Sequence, residues 1–167
     1  YACVVNIKGK VQHDFELFND HDGEQLMLIM DASQIAPMVE SLQKYIVAER
    51  ITFDELIGTT TIITVQGPAA DKVLGHPQAD LTLADFAGVS LRIARHRRGP
   101  HDGYDLLVPS DAVDSVIAEL TTQGALAVSQ DDLEIVRIEA AIPRHGVDVD
   151  DSIIPLEAGM LDAIHWE

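Results

Sequence analysis

The sequence has 167 residues, 47% of them hydrophobic, which is enough to bury one sizeable core or the cores of two small subdomains. Its formal net charge of −17 disfavours general nucleic-acid binding, because that binding depends on Lys and Arg displacing counterions from phosphates. No apolar run approaches the roughly 18 to 20 residues that cross a bilayer, and no basic and apolar leader opens the chain. We therefore expect a soluble, cytoplasmic protein that does not enter membranes.

The first residues, from Tyr1 to Val5, resemble the middle of a strand, so we expect the chain to be part of a longer protein. Its single cysteine, Cys3, excludes an internal disulfide and cannot form a thiolate metal site alone. The histidines show no spacing typical of metal ligands, so no metal site is predicted.

The N-terminal part predicts a meander of strands followed by one helix. The predicted elements are strands at Ala2–Ile7, Val11–Phe18 and Glu24–Met30, a turn at Asn19–Gly23, and a helix whose N-cap lies within Asp31–Ser33 and which ends at Glu49 or Arg50. We assign residues 1–58 to a partial first subdomain that lacks its beginning.

Residues 59–128 predict the order β-α-β-β-α-β, the split βαβ pattern of a ferredoxin-like layer with helices on one face. The predicted elements are strands at Thr59–Val65, Val89–Ala94, Tyr104–Val108 and Ala125–Val128, and helices at 68–74 and from Pro109-Ser110 to before Gly124. Asp85–Gly88 is interpreted as a turn, and Leu133–Ile138 as a helix end or a strand. The predicted fold class is α+β, with antiparallel sheets and helices, and residues 59–167 form the second subdomain with a pocket segment.

Arg92, Arg95, Arg97 and Arg98 place four of the eleven basic residues within seven positions, beside His96. One interpretation is a strand edge protected by solvated charge. The other is a docking point for an anion, because clustered guanidinium groups bind carboxylates through paired hydrogen bonds.

Three segments combine Gly or Pro with polar residues: Val65–Ala69, Gly103–Asp105 and Arg137–Asp150, the last followed by Ile154–Gly159. In the first segment Gly allows a tight exit from a strand and Pro favours the start of a helix, which a plain turn also explains. The third segment is interpreted as a strand that delivers polar groups, above all Glu139, to a pocket.

Taken in this order, the segments resemble the glycine-cleavage T-protein superfamily, whose sequences carry Gln-Gly-Pro, then Gly-Phe/Tyr-Glu/Asp, then Arg-x-Glu-Ala-Gly-x-Pro and Pro-x-Glu. The last segment is closer to the YgfZ-type branch, in which Gly-x-Asp-x-Asp precedes Ile-Pro-x-Glu, as at Gly146–Asp150 and Ile154–Glu157 here. The resemblance covers about residues 6–167. It implies the T-protein folate-binding fold, tetrahydrofolate in a central cavity, and a C-terminal barrel that this chain does not contain.

The resemblance also implies which residues bind folate. Glu139 matches the glutamate that holds the pterin, and a carboxylate can accept two parallel N–H bonds from the pterin edge. Tyr104 and Arg137 are further candidates for binding folate. Arg97 or Arg144 is expected to bind the anionic glutamate tail of the folate. Without the resemblance, a Glu on an apolar strand is more often a structural carboxylate paired with an arginine.

Near Gly9 the aminomethyltransferase branch has an Asp-Asp pair that includes the residue assisting transfer to folate. The matching pair here is His13-Asp14, which makes Asp14 and His13 the candidate catalytic residues. A histidine can act as an acid or base near neutral pH, but replacing a carboxylate by imidazole weakens the expectation of transferase activity. This chain also differs from the family at Ala141, where the family usually has Gly.

The resemblance favours a YgfZ-type tetrahydrofolate-binding protein that supports iron–sulfur cluster assembly or repair in client proteins. One alternative is a folate-dependent aminomethyltransferase or demethylating enzyme that transfers one-carbon units. Another is an interaction module whose pocket has closed. The YgfZ-type branch also carries a Lys-Gly-Cys motif that would begin after Glu167.

Overall fold

The computed structural model describes residues 1–20, 24–48 and 50–164. Its strands are β1 (Ala2–Val5), β2 (Val11–Asp20), β3 (Gln25–Ile29), β4 (Thr60–Gln66), β5 (Leu81–Phe86), β6 (Val89–Arg95) and β7 (Gly103–Pro109). Its α-helices are α1 (Ala32–Gln43), α2 (Ala70–Val73), α3 (Val113–Thr122) and α4 (Gln130–Glu139), and short 3-10 turns lie at Ser110–Ala112, Pro155–Ala158 and Leu161–Ala163. Within the described ranges, no helix is long and apolar enough to span a membrane.

The chain divides into two compact units. The first unit consists of Tyr1–Glu55 and Pro143–Glu167, and the second of Leu56–Ile142. This division differs from the expected one, in which all of residues 59–167 belonged to the second subdomain. The difference arises because the C-terminal segment packs its apolar residues against Val11 of the first unit.

The first unit contains a three-stranded antiparallel sheet with β2 at its centre. Residues 11–15 of β2 pair with β1, and residues 16–20 pair with β3. Val11 is fully buried and forms a small core with Val149, Met160 and Ala163. The three strands predicted for this part of the chain are therefore confirmed.

Helix α1 begins as predicted but ends early. The carboxylate of Asp31 caps the helix by accepting a hydrogen bond from the Ser33 backbone N–H. The helix stops at Gln43 rather than at Glu49 or Arg50, because the following Tyr45 and Val47 are weak helix formers with exposed side chains. Residue 49 and residues 21–23 of the predicted turn lie outside the described residues.

The second unit is a four-stranded sheet in the order β4-β7-β6-β5, antiparallel throughout. One face carries the largest core cluster, in which Leu106 and Val108 of β7 pack with Val116 and Leu120 of α3. The predicted α+β class with antiparallel sheets and helices is confirmed.

Two strand predictions in the second unit are wrong. Residues 81–86 form the edge strand β5, and only Ala87 and Gly88 form the turn that was predicted at Asp85–Gly88. The segment Ala125–Val128, predicted to be a strand, is irregular. Leu126 and Val128 are exposed, so no burial of their side chains favours a strand there.

The interpretation of the segment around Glu139 as a strand is also wrong. Ser129 and Asp132 form a reciprocal capping box, which starts α4 at Gln130. The helix continues to Glu139, and turns follow it rather than a strand.

Candidate functional site

The Gln-Gly-Pro and Gly-Tyr-Asp segments lie side by side, because β4 and β7 are neighbours and Gln66 is the cross-strand partner of Gly103. The Gln66 amide donates to the backbone carbonyl of His96 (3.0 Å) and accepts from the backbone N–H of Arg98 (2.9 Å). One side chain therefore fastens the loop after β6 to the end of β4.

Asp105 forms the centre of a buried polar network in the same place. Its side chain is fully buried, His96 Nδ1 lies 2.7 Å from Oδ2, and the Arg98 guanidinium donates to Oδ1 and Oδ2 at 3.1 and 2.6 Å. Burial alone would raise the pKa of Asp105, but the hydrogen bonds from His96 and Arg98 lower it to about 2. Asp105 is therefore an ionised structural anchor for this loop.

Tyr104, a predicted folate-binding residue, lies in the core of the second unit with 1% of its surface exposed. Its hydroxyl donates to Asp71 Oδ1 at 3.1 Å, and the Arg95 guanidinium lies over its ring at 5.5 Å from the centroid. Burial and the contact with Asp71 raise the pKa of the Tyr104 hydroxyl. The ring and the hydroxyl of Tyr104 are therefore both engaged within the protein.

The arginine cluster does not form one anion site. Arg98 is bound to Asp105, and Arg95 lies 3.8 Å from carboxylates of both Asp80 and Asp102. Arg97 is exposed, and no ion pair joins it to another of the described residues.

Glu139 and Arg137 occupy the last turn of α4 and differ in their surroundings. Arg137 is buried, donates from Nε and Nη2 to the Glu134 carboxylate at 3.0 and 2.5 Å, and donates from Nη1 to the Ile142 carbonyl. Glu139 is exposed and makes no ion pair with any of the residues that the structure describes. The arginine is thus committed to closing the helix end, while the Glu139 carboxylate is available.

The turn after Glu139 explains the unusual Ala141. The Ala141 N–H donates to the Ile138 carbonyl and the Ile142 N–H to the Arg137 carbonyl, the hydrogen-bond pattern of a Schellman motif. Ala141 accordingly has a φ of 53°, in the left-handed region that favours glycine.

The remaining predicted site residues, His13, Asp14 and Arg144, belong to the first unit. His13 is buried: its Nε2 lies 3.3 Å from Ser41 Oγ, and its Nδ1 finds no hydrogen-bond partner among the described residues. Burial, reinforced by His145, lowers the pKa of His13, so the imidazole is neutral at pH 7. His13 does not supply the negative charge that a carboxylate would.

Asp14 accepts hydrogen bonds on both carboxylate oxygens. Gln34 Nε2 donates to Oδ1 at 3.0 Å, and Tyr1 Oη donates to Oδ2 at 2.9 Å. Sequence reasoning missed Gln34, although a signal existed: it is a polar residue one helical turn before Met38 on the buried face of α1.

Arg144 is half-buried in the turn that follows the second unit. Its backbone N–H donates to Asp148 Oδ2 at 3.0 Å, and its backbone carbonyl accepts from the N–H of Asp148 at 2.9 Å. Hydrogen bonds from Ser33 lower the pKa of Asp31, and the charge of Arg144 lowers it further. The charge of Arg144 thus acts on the carboxylate that caps α1.

The described residues contain no group of His, Cys, Asp and Glu side chains that could hold a metal ion. An open cleft of about 170 Å³ lies on the sheet of the second unit, lined by residues that include Leu83, Arg92 and Leu107, and its lining contains none of the predicted site residues.

The fold and the motifs together define a T-protein-like α+β protein. It has antiparallel sheets with helices, adjacent Gln-Gly-Pro and Gly-Tyr-Asp segments, and a helix that ends in Arg-x-Glu. The family of the GCVT N-terminal domain matches residues 1–167, and the chain belongs to this family. The resemblance to the T-protein superfamily is thereby confirmed, while the YgfZ-type branch stays a prediction.

Several curated relatives carry the name aminomethyltransferase. The one from Picosynechococcus sp. is 27% identical over 177 residues, which covers 100% of this chain and 48% of the relative. The one from Thermosynechococcus vestitus is 30% identical over 176 residues (100% and 47%), and the one from Thermus thermophilus is 27% identical over 165 residues (93% and 47%). The chain thus spans about half the length of the curated relatives it matches.

Proposed function

We propose that this chain is a tetrahydrofolate-binding domain that holds the pterin through Glu139. The observation that carries the proposal is the exposed Glu139 carboxylate at the end of α4, which no described arginine neutralises. Arg137, the nearest candidate partner in sequence, is occupied by Glu134. A free carboxylate can accept the paired N–H groups of a pterin edge, and a carboxylate already bound to a guanidinium cannot do so without losing that pair.

Calorimetric titration with tetrahydrofolate, kept reduced, tests this proposal. Glu139→Gln replaces one acceptor by a donor and should weaken binding by about tenfold or more, since two charge-assisted hydrogen bonds are affected. Asp131→Asn is the matched control, because Asp131 is exposed on the same helix and its change removes the same charge. Equal affinity of Glu139→Gln and wild type would remove Glu139 from the site.

The finer proposal is a YgfZ-type protein whose folate site supports iron–sulfur cluster assembly or repair. It is supported by the Gly146–Asp150 and Ile154–Glu157 segments and by the neutral, buried His13 in place of an acid. Cells that lack the protein should lose activity of iron–sulfur enzymes, and wild type but not Glu139→Gln should restore it. Full restoration by Glu139→Gln would separate folate binding from this role.

The second candidate is a folate-dependent aminomethyltransferase, and two observations favour it. The relatives compared above all carry that name. Asp14, the acid retained from the Asp-Asp pair, is held on both oxygens as an oriented carboxylate. Formation of a one-carbon folate from an aminomethyl donor, lost in Asp14→Asn, would favour this function over the YgfZ-type role.

A further inference from the structure

Gln34 is a polar side chain, 5% exposed, in the first turn of α1. Its Nε2 donates to Asp14 Oδ1 at 3.0 Å, and its Oε1 accepts from the Asp14 backbone N–H at 3.2 Å. A single amide therefore holds both the backbone and the carboxylate of Asp14. No other contact described for Asp14 does both.

The backbone N–H of Asp14 determines which way this amide faces. A flipped amide would bring its NH₂ group against that N–H donor and its oxygen against the carboxylate, and both contacts would repel. Nε2 must therefore face Oδ1, and the arrangement is stable only while Oδ1 is an acceptor.

The second carboxylate oxygen has a different kind of partner. Oδ2 accepts from the Tyr1 hydroxyl at 2.9 Å in an exposed hydrogen bond. Burial and the Asp14 charge raise the pKa of Tyr1, so its hydroxyl remains a donor at neutral pH. A ligand N–H group can replace this exposed donor at Oδ2 while the buried amide keeps Oδ1.

We propose that Gln34 is a positioning residue: it holds Oδ1 of Asp14 so that Oδ2 faces an N–H group of the folate or of its one-carbon unit. The inference rests on the proposed function, in which Asp14 takes part in folate chemistry. The amide of Gln34 does not touch the ligand and acts only through Asp14.

The substitution Gln34→Glu tests this role, because glutamate has nearly the same shape as glutamine. It keeps an oxygen for the Asp14 backbone N–H, removes the donor to Oδ1, and adds a carboxylate beside Asp14. We expect the affinity for tetrahydrofolate at pH 7.5 to fall about tenfold, the effect of one charge-assisted hydrogen bond.

A pH profile distinguishes positioning from a merely structural effect. Two adjacent carboxyl groups share a proton as the pH falls, and the protonated introduced carboxyl can again donate to Oδ1. The affinity of the variant relative to wild type should therefore recover toward pH 5. The titratable groups near Asp14 are Tyr1 and Cys3 on β1 and His13, which faces both His145 and the side chain of residue 34. A carboxylate introduced at position 34 would raise the pKa of His13, so both proteins are compared in a His13→Asn background. Tyr1 and Cys3 are then shared by the two proteins, and their effect cancels in the ratio.

Gln43→Glu is the matched control, because it adds the same charge at an exposed position of the same helix. It should keep the affinity and the pH profile of wild type. A constant defect of Gln34→Glu at every pH, or an equal defect of Gln43→Glu, would overturn the positioning role.

A measurement without ligand separates this inference from the proposed function. The carboxyl ¹³C resonance of Asp14 should shift in Gln34→Glu and stay unchanged in Gln43→Glu. If wild type fails to bind tetrahydrofolate, the proposed function fails, and the ¹³C result alone decides whether Gln34 holds Asp14. An unchanged resonance in Gln34→Glu would overturn that contact.

Discussion

The side chain of Gln66 fills the space above Gly103, its partner on the neighbouring strand. A Cβ atom at position 103 would lie 1.9 Å from Gln66 Oε1, far inside van der Waals contact. Because the same amide binds the backbone of His96 and Arg98, the glycine makes room for a side chain that fastens the loop after β6. The Gln-Gly-Pro and Gly-Tyr-Asp segments thus pack against each other and together hold the loop after β6.

We predict that Gly103→Ala destabilises the protein by about 1 to 3 kcal/mol, because the methyl group displaces Gln66 from partly buried hydrogen bonds. In a Gln66→Ala background the space is empty, so the same change should cost much less. Urea unfolding of the two single variants and the double variant measures this coupling. Additive effects would show that Gln66 and Gly103 do not compete for space.

The motifs could be found in the sequence, but the pairing of β4 with β7 could not, since it joins segments about 40 residues apart through tertiary packing. Strand β5 was missed because only Ala84 and Phe86 pack against the core, while Leu83 is exposed, so the expected alternation is weak. Glu139 was placed on a strand because α4 has apolar residues on more than one side, including the exposed Ile135. The sequence thus identified the motifs but not the orientation of their side chains.

The stability of the second unit should depend on pH through Asp105. Its folded pKa of about 2 lies below the ordinary value for aspartate, so its stabilising effect is present above about pH 4 and is lost as the pH falls through 2. The contribution is on the order of 2 kcal/mol. The difference in unfolding free energy between wild type and Asp105→Asn should therefore shrink between pH 4 and pH 2.

Asp102→Asn is the control for this pH dependence. Asp102 is exposed and lies 3.8 Å from Arg95, a distance at which a surface pair contributes little. Its effect on the unfolding free energy should be small at every pH. A pH-independent effect of Asp105→Asn would contradict the ionised network around Arg98.

Arg137 and Arg97, both predicted to bind folate, should respond differently to substitution by lysine. Arg137→Lys removes the paired contact with Glu134 and should lower stability by about 1 to 3 kcal/mol. Arg97→Lys keeps an exposed positive charge and should leave stability within about 0.5 kcal/mol of wild type. Thermal unfolding compares the two, and an unaffected Arg137→Lys would show that the arginine is not needed to close α4.

Replacing Ala141 by glycine should stabilise the protein by about 0.5 to 1 kcal/mol, because glycine adopts the left-handed conformation without the Cβ clash. The gain is partly offset by the greater freedom of glycine in the unfolded chain. Ala140→Gly is the matched control: Ala140 has a φ of −83°, so glycine there should bring no gain. Denaturant unfolding distinguishes the two variants, and a loss of stability in Ala141→Gly would mean that the turn after Glu139 does not hold this conformation in solution.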